Sequence, residues 1–162
     1  MACGPNREAT VQQLGDDVVV RGGDLHIDVQ QDPEPELVQL LVRRLVDSND
    51  RVAPPENHQR VAVFASVDGE LVGGASGFAH WRWLFVSHLW VDESRRHEGL
   101  GSELMDKIEQ AGVSRGAQAA HLDTYDFQAL GFYEKLGYRV FGKLDDYPVG
   151  HARYFLTRTL QQ

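Results

Sequence analysis

The stretch Arg95–Gly112, "RRHEGLGSELMDKIEQAG", decides how this chain is to be read. Two arginines, a histidine and a glutamate stand directly ahead of Gly99 and Gly101, and an apolar stripe of Leu100, Leu104, Met105, Ile108 and Ala111 then recurs at helical spacing. The spacing predicts a helix that starts in a polar, glycine-punctuated loop and stops near Gly112. A helix N-terminus carries unsatisfied N–H groups and a partial positive charge, so a loop that bares them is an anion site suited to phosphate. Gly99 and Gly101 leave room for close approach, and Arg96 adds a guanidinium that matches paired phosphate oxygens. The bland alternative is a glycine-containing loop that caps a helix.

Outward from this point, "WLFVSHLWVD" (Trp83–Asp92) runs into the loop as a nearly continuous apolar strand. Upstream, "RVAVFASV" and "ELVGGASGFA" flank Asp68-Gly69, a strong hairpin signal. Further upstream, "ELVQLLVRRLV" follows Pro33 and Pro35 with Leu37, Leu41 and Leu45 beside Val38 and Val42, the pattern of a helix ending near Asp47. "VVV" (Val18–Val20) and the alternating "LHIDV" (Leu25–Val29) are predicted as short strands. Downstream, "AQAAHLDTY" is a strand, and Ala129, Phe132, Tyr133 and Leu136 form a short amphipathic helix closed by Gly137. "YRVFGKL" and "HARYFLTRTL" are the last strands, separated by the "DDYPVG" turn. This order predicts an α/β domain with a central mixed sheet flanked by helices. Residues 1–15 are expected to form a loosely held tail, and residues 16–162 a single domain.

Composition narrows the function. The 162 residues are 42% hydrophobic and 25% charged, as in an ordinary globule. A formal net charge of −8, from 24 acidic against 16 basic residues, repels a phosphate backbone and favours cationic ligands, so nucleic acid is not an expected partner. Apolar runs fall short of the roughly 20 residues of a membrane helix, the N-terminus lacks a leader pattern, and the lone Cys3 fits a reducing cytoplasm. His26, His58 and His121 lack metal-ligand spacing, so no metal is expected. Other motifs fail by counting. A dinucleotide fingerprint needs glycine or alanine where Leu104 stands, His97-Glu98 has Gly101 in place of a second zinc histidine, and "GASGF" (Gly74–Phe78) ends in Phe78 where a nucleophile elbow needs glycine.

"LWVDESRRHEGLGSELM" resembles the acyl-CoA motif of the GNAT superfamily of N-acetyltransferases, through Arg96, Gly99 and Gly101, and "FQALGFYEKLGYRVFG" resembles the family's later motif. The likeness extends over about residues 61–160. It implies a GNAT-like, mostly antiparallel mixed sheet of six to seven strands. It also implies acetyl-CoA as co-substrate, with the pyrophosphate on the amides of Arg96, His97, Glu98, Gly99, Leu100, Gly101 and Ser102. The pantetheine arm would pair with the backbone of Leu89, Trp90 and Val91. Asp126, three residues before Ala129, occupies a position where the family often has an asparagine that touches pantetheine; an ionised carboxylate there accepts but cannot donate.

The chemistry then has three requirements: an ammonium of pKa ~10.4 must lose a proton, the thioester carbonyl must be polarised, and the leaving thiolate must be stabilised. By resemblance Tyr133 is the general acid; the packing alternative is a ring that fills the core beside Phe132 and Leu136. Period-two alternation puts Ser87 on one face with Phe85 and Leu89, and His88 on the other unless a bulge intervenes. Relatives often carry an acidic residue or histidine on this strand, which commonly bulges in the family, so the resemblance implies His88 as the base, with a water relayed through Ser87 as the alternative. His151, in a loop that faces the acceptor in similar family members, is a substrate contact or a base, and Tyr125 lines the acceptor site. The expected reaction is acetyl transfer to an amine of a small cationic molecule. Alternatives are a protein or peptide amine, an acyl-CoA binder without turnover, and a nucleotide-binding regulator. The C-terminal edge strands are compatible with a homodimer.

Overall fold

The computed structural model describes residues 25–160, which fall into two units that divide between Val42 and Arg43. Helix α1, Pro35–Asn49, crosses that division. It begins with proline at its first position and Glu36 in its first turn, both favourable at a helix N-terminus. Its apolar stripe of Leu37, Val38, Leu41, Val42 and Leu45 is exposed.

"LHIDV" is not a strand: residues 25–29 carry no ladder, and Leu25, Ile27 and Val29 are exposed. Alternation prepares a chain for one face of a sheet, but a strand exists only with a hydrogen-bonded neighbour. The other predicted strand before α1, "VVV", lies outside the described residues.

The remaining elements build one six-stranded sheet. They are β1 (Gln59–Val67), β2 (Glu70–His80), β3 (Trp83–Val91), α2 (Leu100–Val113), β4 (Ala119–Tyr125), α3 (Leu130–Lys135), β5 (Arg139–Asp145) and β6 (Ala152–Thr159). The spatial order is β1-β2-β3-β4-β6-β5, with every pair antiparallel except β3 and β4. Asp68 and Gly69 both adopt positive φ and close the β1–β2 hairpin, as Asp-Gly requires. The parallel β3–β4 pair needs a crossover, which α2 supplies.

The core lies between α2 and the sheet. Leu84 and Val86 of β3, Ala120 and Leu122 of β4, and Leu156 of β6 face Leu104, Met105 and Ile108 of α2. Each fully buried aliphatic side chain of this kind contributes roughly 1.5–3 kcal/mol. Gly112 does not end α2. The helix runs on to Val113, and a Cβ at Gly112 would stand 3.0 Å from Leu84 Cδ2, so this glycine serves close packing of helix on sheet.

Two irregularities in β3 create the site. First, β2 pairs Ser76 with His88 but Gly77 with Val86, which leaves Ser87 as the extra residue of a β-bulge. The bulge reverses the phase of the strand. Phe85 and His88 therefore share one face while Val86 and Leu89 share the other, so the strand takes the bulged alternative and not the uninterrupted alternation that would group Ser87 with Phe85 and Leu89. Secondly, β3 and β4 pair only over Trp83–Val86 and Ala119–Leu122. Beyond Val86 and Leu122 the two parallel strands part.

Candidate active site

The parted strands open beside the N-terminus of α2. Asp92 closes β3, and its carboxylate accepts the Ser94 amide at 2.9 Å and the Ser94 hydroxyl at 2.5 Å, starting a single 3-10 turn over Glu93–Arg95. Those bonds, with Arg96 and Arg95 nearby, hold the Asp92 carboxyl below the usual carboxylate range. His97 and Gly99 then take φ of 67° and 88°, turning the chain so that successive N–H groups face outward.

The amide inventory of this loop is specific. Arg96 N donates to Glu93 O at 3.4 Å and Ser102 N to Gly99 O at 3.0 Å. Among the described residues, the amides of His97, Glu98, Gly99, Leu100 and Gly101 have no backbone acceptor in the turns and caps, and no side chain accepts from them. Five consecutive bare donors at the positive end of a 14-residue helix form an anion cradle. Gly99 serves as N-cap without a capping side chain, and among the described residues no atom beyond its own chain neighbours lies within 4 Å of where its Cβ would stand. Arg96 is turned back on the loop: its Nε donates to Val91 O at 3.2 Å and its Nη1 pairs with Glu93 at 3.4 Å. The guanidinium thus braces the end of β3 against the turn.

Tyr133 projects from α3 into the core and is 7% exposed. Its ring meets those of Phe132 and Tyr138 edge to face, at 5.1 and 6.1 Å. Among the described residues its hydroxyl has no side-chain hydrogen-bond partner, and no side-chain polar atom is both buried and unpartnered, so the phenol oxygen keeps contact with solvent. Burial, then the charge of Asp123, pushes its pKa up to about 12, which keeps the proton on the oxygen throughout the neutral range. Phe132 packs toward α2, where a Cβ on Gly101 would come within 3.4 Å of its ring.

On the β1–β3 side of the sheet, a cavity of about 580 Å³ is lined by Arg60, Ser76, Phe78, Ser87 and His88, among others. His88 Nδ1 lies 3.1 Å from Ser76 Oγ, and the Ser87 hydroxyl donates to Ser76 O at 3.0 Å. The bulge brings both residues, named as base and water relay, to this cavity. Its cause is Gly77: a Cβ there would stand 1.9 Å from Phe85 O, so no side chain fits opposite the bulge.

At the open end of β4 stands a second cluster, most of which sequence reasoning missed. Tyr125 stacks on Phe127 at 5.1 Å with 10° between the rings, and Tyr147 approaches Tyr125 at 6.2 Å. The Arg153 guanidinium sits 5.5 Å from the rings of Tyr125, Tyr147 and Phe155 while its Nε donates to Asp123 Oδ2 at 2.7 Å. Each oxygen of Asp126 has a partner: Oδ1 is 3.0 Å from His151 Nδ1, and Oδ2 accepts the Ala152 amide at 3.1 Å. Tyr125, Asp126 and His151 therefore belong to one cluster, and Ala129 caps α3 with its carbonyl. Their separation along the chain hides the cluster from spacing rules. The one sequence signal was the crowding of aromatics and acids at "DTYDF" and "DDYPVGH". No group of three or more His, Cys, Asp or Glu side chains able to hold a metal occurs among the described residues, and no helix there is long and apolar enough to cross a membrane.

A mixed sheet whose parallel pair parts next to bare helix-start amides has the geometry to take an extended, phosphate-bearing ligand between two strands. The chain belongs to the acetyltransferase (GNAT) family, whose model matches residues 27–138, and it is an acyltransferase of that family. It is 43% identical over 93 residues to blasticidin-S acetyltransferase of Streptomyces morookaense, an overlap of 57% of this chain and 68% of the relative. An acetyltransferase structure from Bacillus cereus matches with a TM-score of 0.75 at 29% identity, covering 82% of this chain and 98% of the other. An aminoglycoside 6'-N-acetyltransferase complexed with coenzyme A matches at 22% identity, covering 85% of this chain and 99% of the other, with a TM-score of 0.57.

Proposed function

We propose that this chain transfers an acetyl group from acetyl-CoA to an amine of a small cationic molecule, by direct attack in a ternary complex. The observation that carries the reading is the run of five bare amides, His97 to Gly101, beside the point where β3 and β4 part. The residues present fit the co-substrate. The amide cradle suits the pyrophosphate, with Ser102 and Arg96 supporting the loop from either side, and the unpaired edge of β3 over Leu89, Trp90 and Val91 offers strand-like hydrogen bonds to the pantetheine arm. Bound there, acetyl-CoA supplies the activated thioester.

The protein's own groups supply the rest. Tyr133 meets the departing sulfur as a hydrogen-bond donor, because burial keeps its hydroxyl protonated. The aromatic faces of Tyr125 and Phe127, with the acidic balance of the chain, suit a cationic acceptor. The similarity to a blasticidin-S acetyltransferase supports an antibiotic-like amine as acceptor. Holding both reactants in one site turns a bimolecular reaction into an effectively unimolecular one, so no covalent enzyme intermediate is required.

The test is a panel of blasticidin S, an aminoglycoside, a polyamine and a lysine-containing peptide with acetyl-CoA, read as free thiol, beside calorimetry with coenzyme A. Thiol release with a small amine and saturable coenzyme A binding are expected. Turnover of the peptide alone would move the acceptor to protein amines. Binding without turnover of any amine would leave an acyl-CoA binder, and no binding would remove the reading.

A further inference from the structure

We propose that His151, oriented by Asp126, is the group that takes the proton from the acceptor amine; the assignment rests on the amine-acetylation reading above. The geometry is that of an oriented base. His151 Nδ1 lies 3.0 Å from Asp126 Oδ1, and the same carboxylate is pinned through Oδ2 by the Ala152 amide at 3.1 Å. The backbone on both sides is tied down: Asp126 N donates to Ala152 O at 3.0 Å, His151 N to Pro148 O at 2.9 Å, and Tyr147 N to His151 O at 3.1 Å. The edge of Phe127 meets the imidazole at 4.8 Å and 76°.

A carboxylate only accepts, so the hydrogen sits on Nδ1 and the lone pair on Nε2. The carboxylate thus holds the ring with its Nε2 lone pair free to take a proton, the logic by which a carboxylate orients a histidine base. Ring and carboxylate are both partly exposed, which gives the proton a route to water.

His88 lacks these features. Its partner is the Ser76 hydroxyl, which can donate or accept and so fixes no tautomer, and among the described residues it forms no ion pair with a carboxylate. The charged groups around His151 are Asp126 at the end of β4, Asp146 in the turn, whose Oδ1 accepts the Gly150 amide, Lys143 from β5, which pairs with Asp145, and Arg153 from β6, which pairs with Asp123. Among the described residues, Asp126 is the one of these that hydrogen-bonds to the ring. In the step, Nε2 accepts a proton from the ammonium and the freed lone pair forms the amide C–N bond. As the thioester C–S bond breaks, the nitrogen gives up its second proton to solvent and the sulfur takes one from Tyr133 Oη, which is reprotonated from solvent as His151 releases its own, so each turnover releases one proton.

The experiment is the pH–rate profile of kcat/KM with acetyl-CoA and blasticidin S, or the panel amine with the fastest thiol release, for wild type, His151→Gln, Asp126→Asn, Asp126→Glu and His88→Gln. Imidazole 15N spectra and melting curves accompany each protein. His151→Gln is expected to lower kcat/KM by ~10²–10³-fold and to remove the acid-side limb, with melting unchanged. Asp126→Asn should cost ~10-fold or more and scramble the Nδ1–H tautomer, and Asp126→Glu should recover part of both. His88→Gln should alter KM and keep the limb. A limb that survives in His151→Gln, a limb lost in His88→Gln, or an Nε2–H tautomer in wild-type His151 would overturn the proposal. Absence of turnover by the wild type would instead overturn the functional reading, and the dyad's role with it.

Discussion

The two halves of β3 and β4 are the same pair of strands under opposite physical demands. Over Trp83–Val86 and Ala119–Leu122 they are hydrogen-bonded neighbours, and their inward residues, Leu84, Val86, Ala120 and Leu122, are among the most buried in the chain. Beyond that point the residues turn polar or exposed: Ser87 and His88 on one strand, Asp123 and Tyr125 on the other. Packing density stabilises the closed half, and unsatisfied backbone defines the open one. The lesson is that the site is made by stopping a sheet, and one extra residue, Ser87, does so while keeping the core stripe in phase on both sides.

The comparison breaks most sharply at Gly77. Any Cβ there lands 1.9 Å from a backbone oxygen that cannot swing aside, so the bulge must flatten or the strands separate. Gly77→Ala is expected to destabilise the fold by ~4 kcal/mol or more, the range reached only when core backbone is forced to move. Urea unfolding measures it; a loss under ~1 kcal/mol would mean that the bulge is not fixed by this contact.

Next in size is Tyr133→Phe, which leaves both halves intact and removes one proton from the opening. A fall in kcat of ~100-fold, about 2.7 kcal/mol, is expected, with coenzyme A affinity retained. Equal losses of kcat and of coenzyme A binding would assign the ring to packing. Because burial raises this phenol to about 12, the wild type should show no loss of rate from Tyr133 ionisation up to at least pH 10.

Gly99→Val tests the cradle itself. At φ 88° a β-branched residue costs ~1–2 kcal/mol, and the loop relaxes by turning amides inward. The expected result is a rise of about tenfold in the KM for acetyl-CoA, with kcat little changed. An unchanged KM would sever the link between the bare amides and the co-substrate.

These sites differ in how far the chain spells them out. The glycine loop ahead of α2 was legible because Gly99 and Gly101 stand directly before an apolar stripe at helical spacing, where local rules hold. Tyr133 was singled out through motif resemblance, and its place on α3 was legible from the short amphipathic pattern around it, while its role as acid is a proposal. The bulge stood as an alternative suggested by the resemblance, and the residues alone could not decide it, since "GASGF" and "FVSHL" reveal an extra residue only when laid in register. The Asp126–His151 pair escaped because α3, β5 and a turn separate its members along the chain, so no spacing rule links them. "LHIDV" shows the opposite failure, a pattern without a neighbour.

The smallest effect lies on the far side of the core, where the closed half is braced. Glu109 of α2 accepts the Tyr138 hydroxyl at 2.8 Å and pairs with Arg158 at 3.1 Å. Burial raises its carboxyl above the ordinary value, against the weaker pulls of Tyr138 and Arg158, while burial and Glu109 push the Tyr138 phenol far above its usual range. A raised carboxyl binds its proton more tightly folded than unfolded. Its contribution to stability is therefore complete below the unfolded value of 4.5 and is lost as pH rises through the folded value. Glu109→Gln keeps an acceptor for Tyr138 and removes the titration, so it should match the wild type in acid and exceed its stability by no more than ~1 kcal/mol near neutrality. Melting curves across that range decide the balance: a variant that weakens as pH rises would show the attraction of Arg158 outweighing burial, and the brace would then be an ion pair, with the closed half resting on charge as well as on packing.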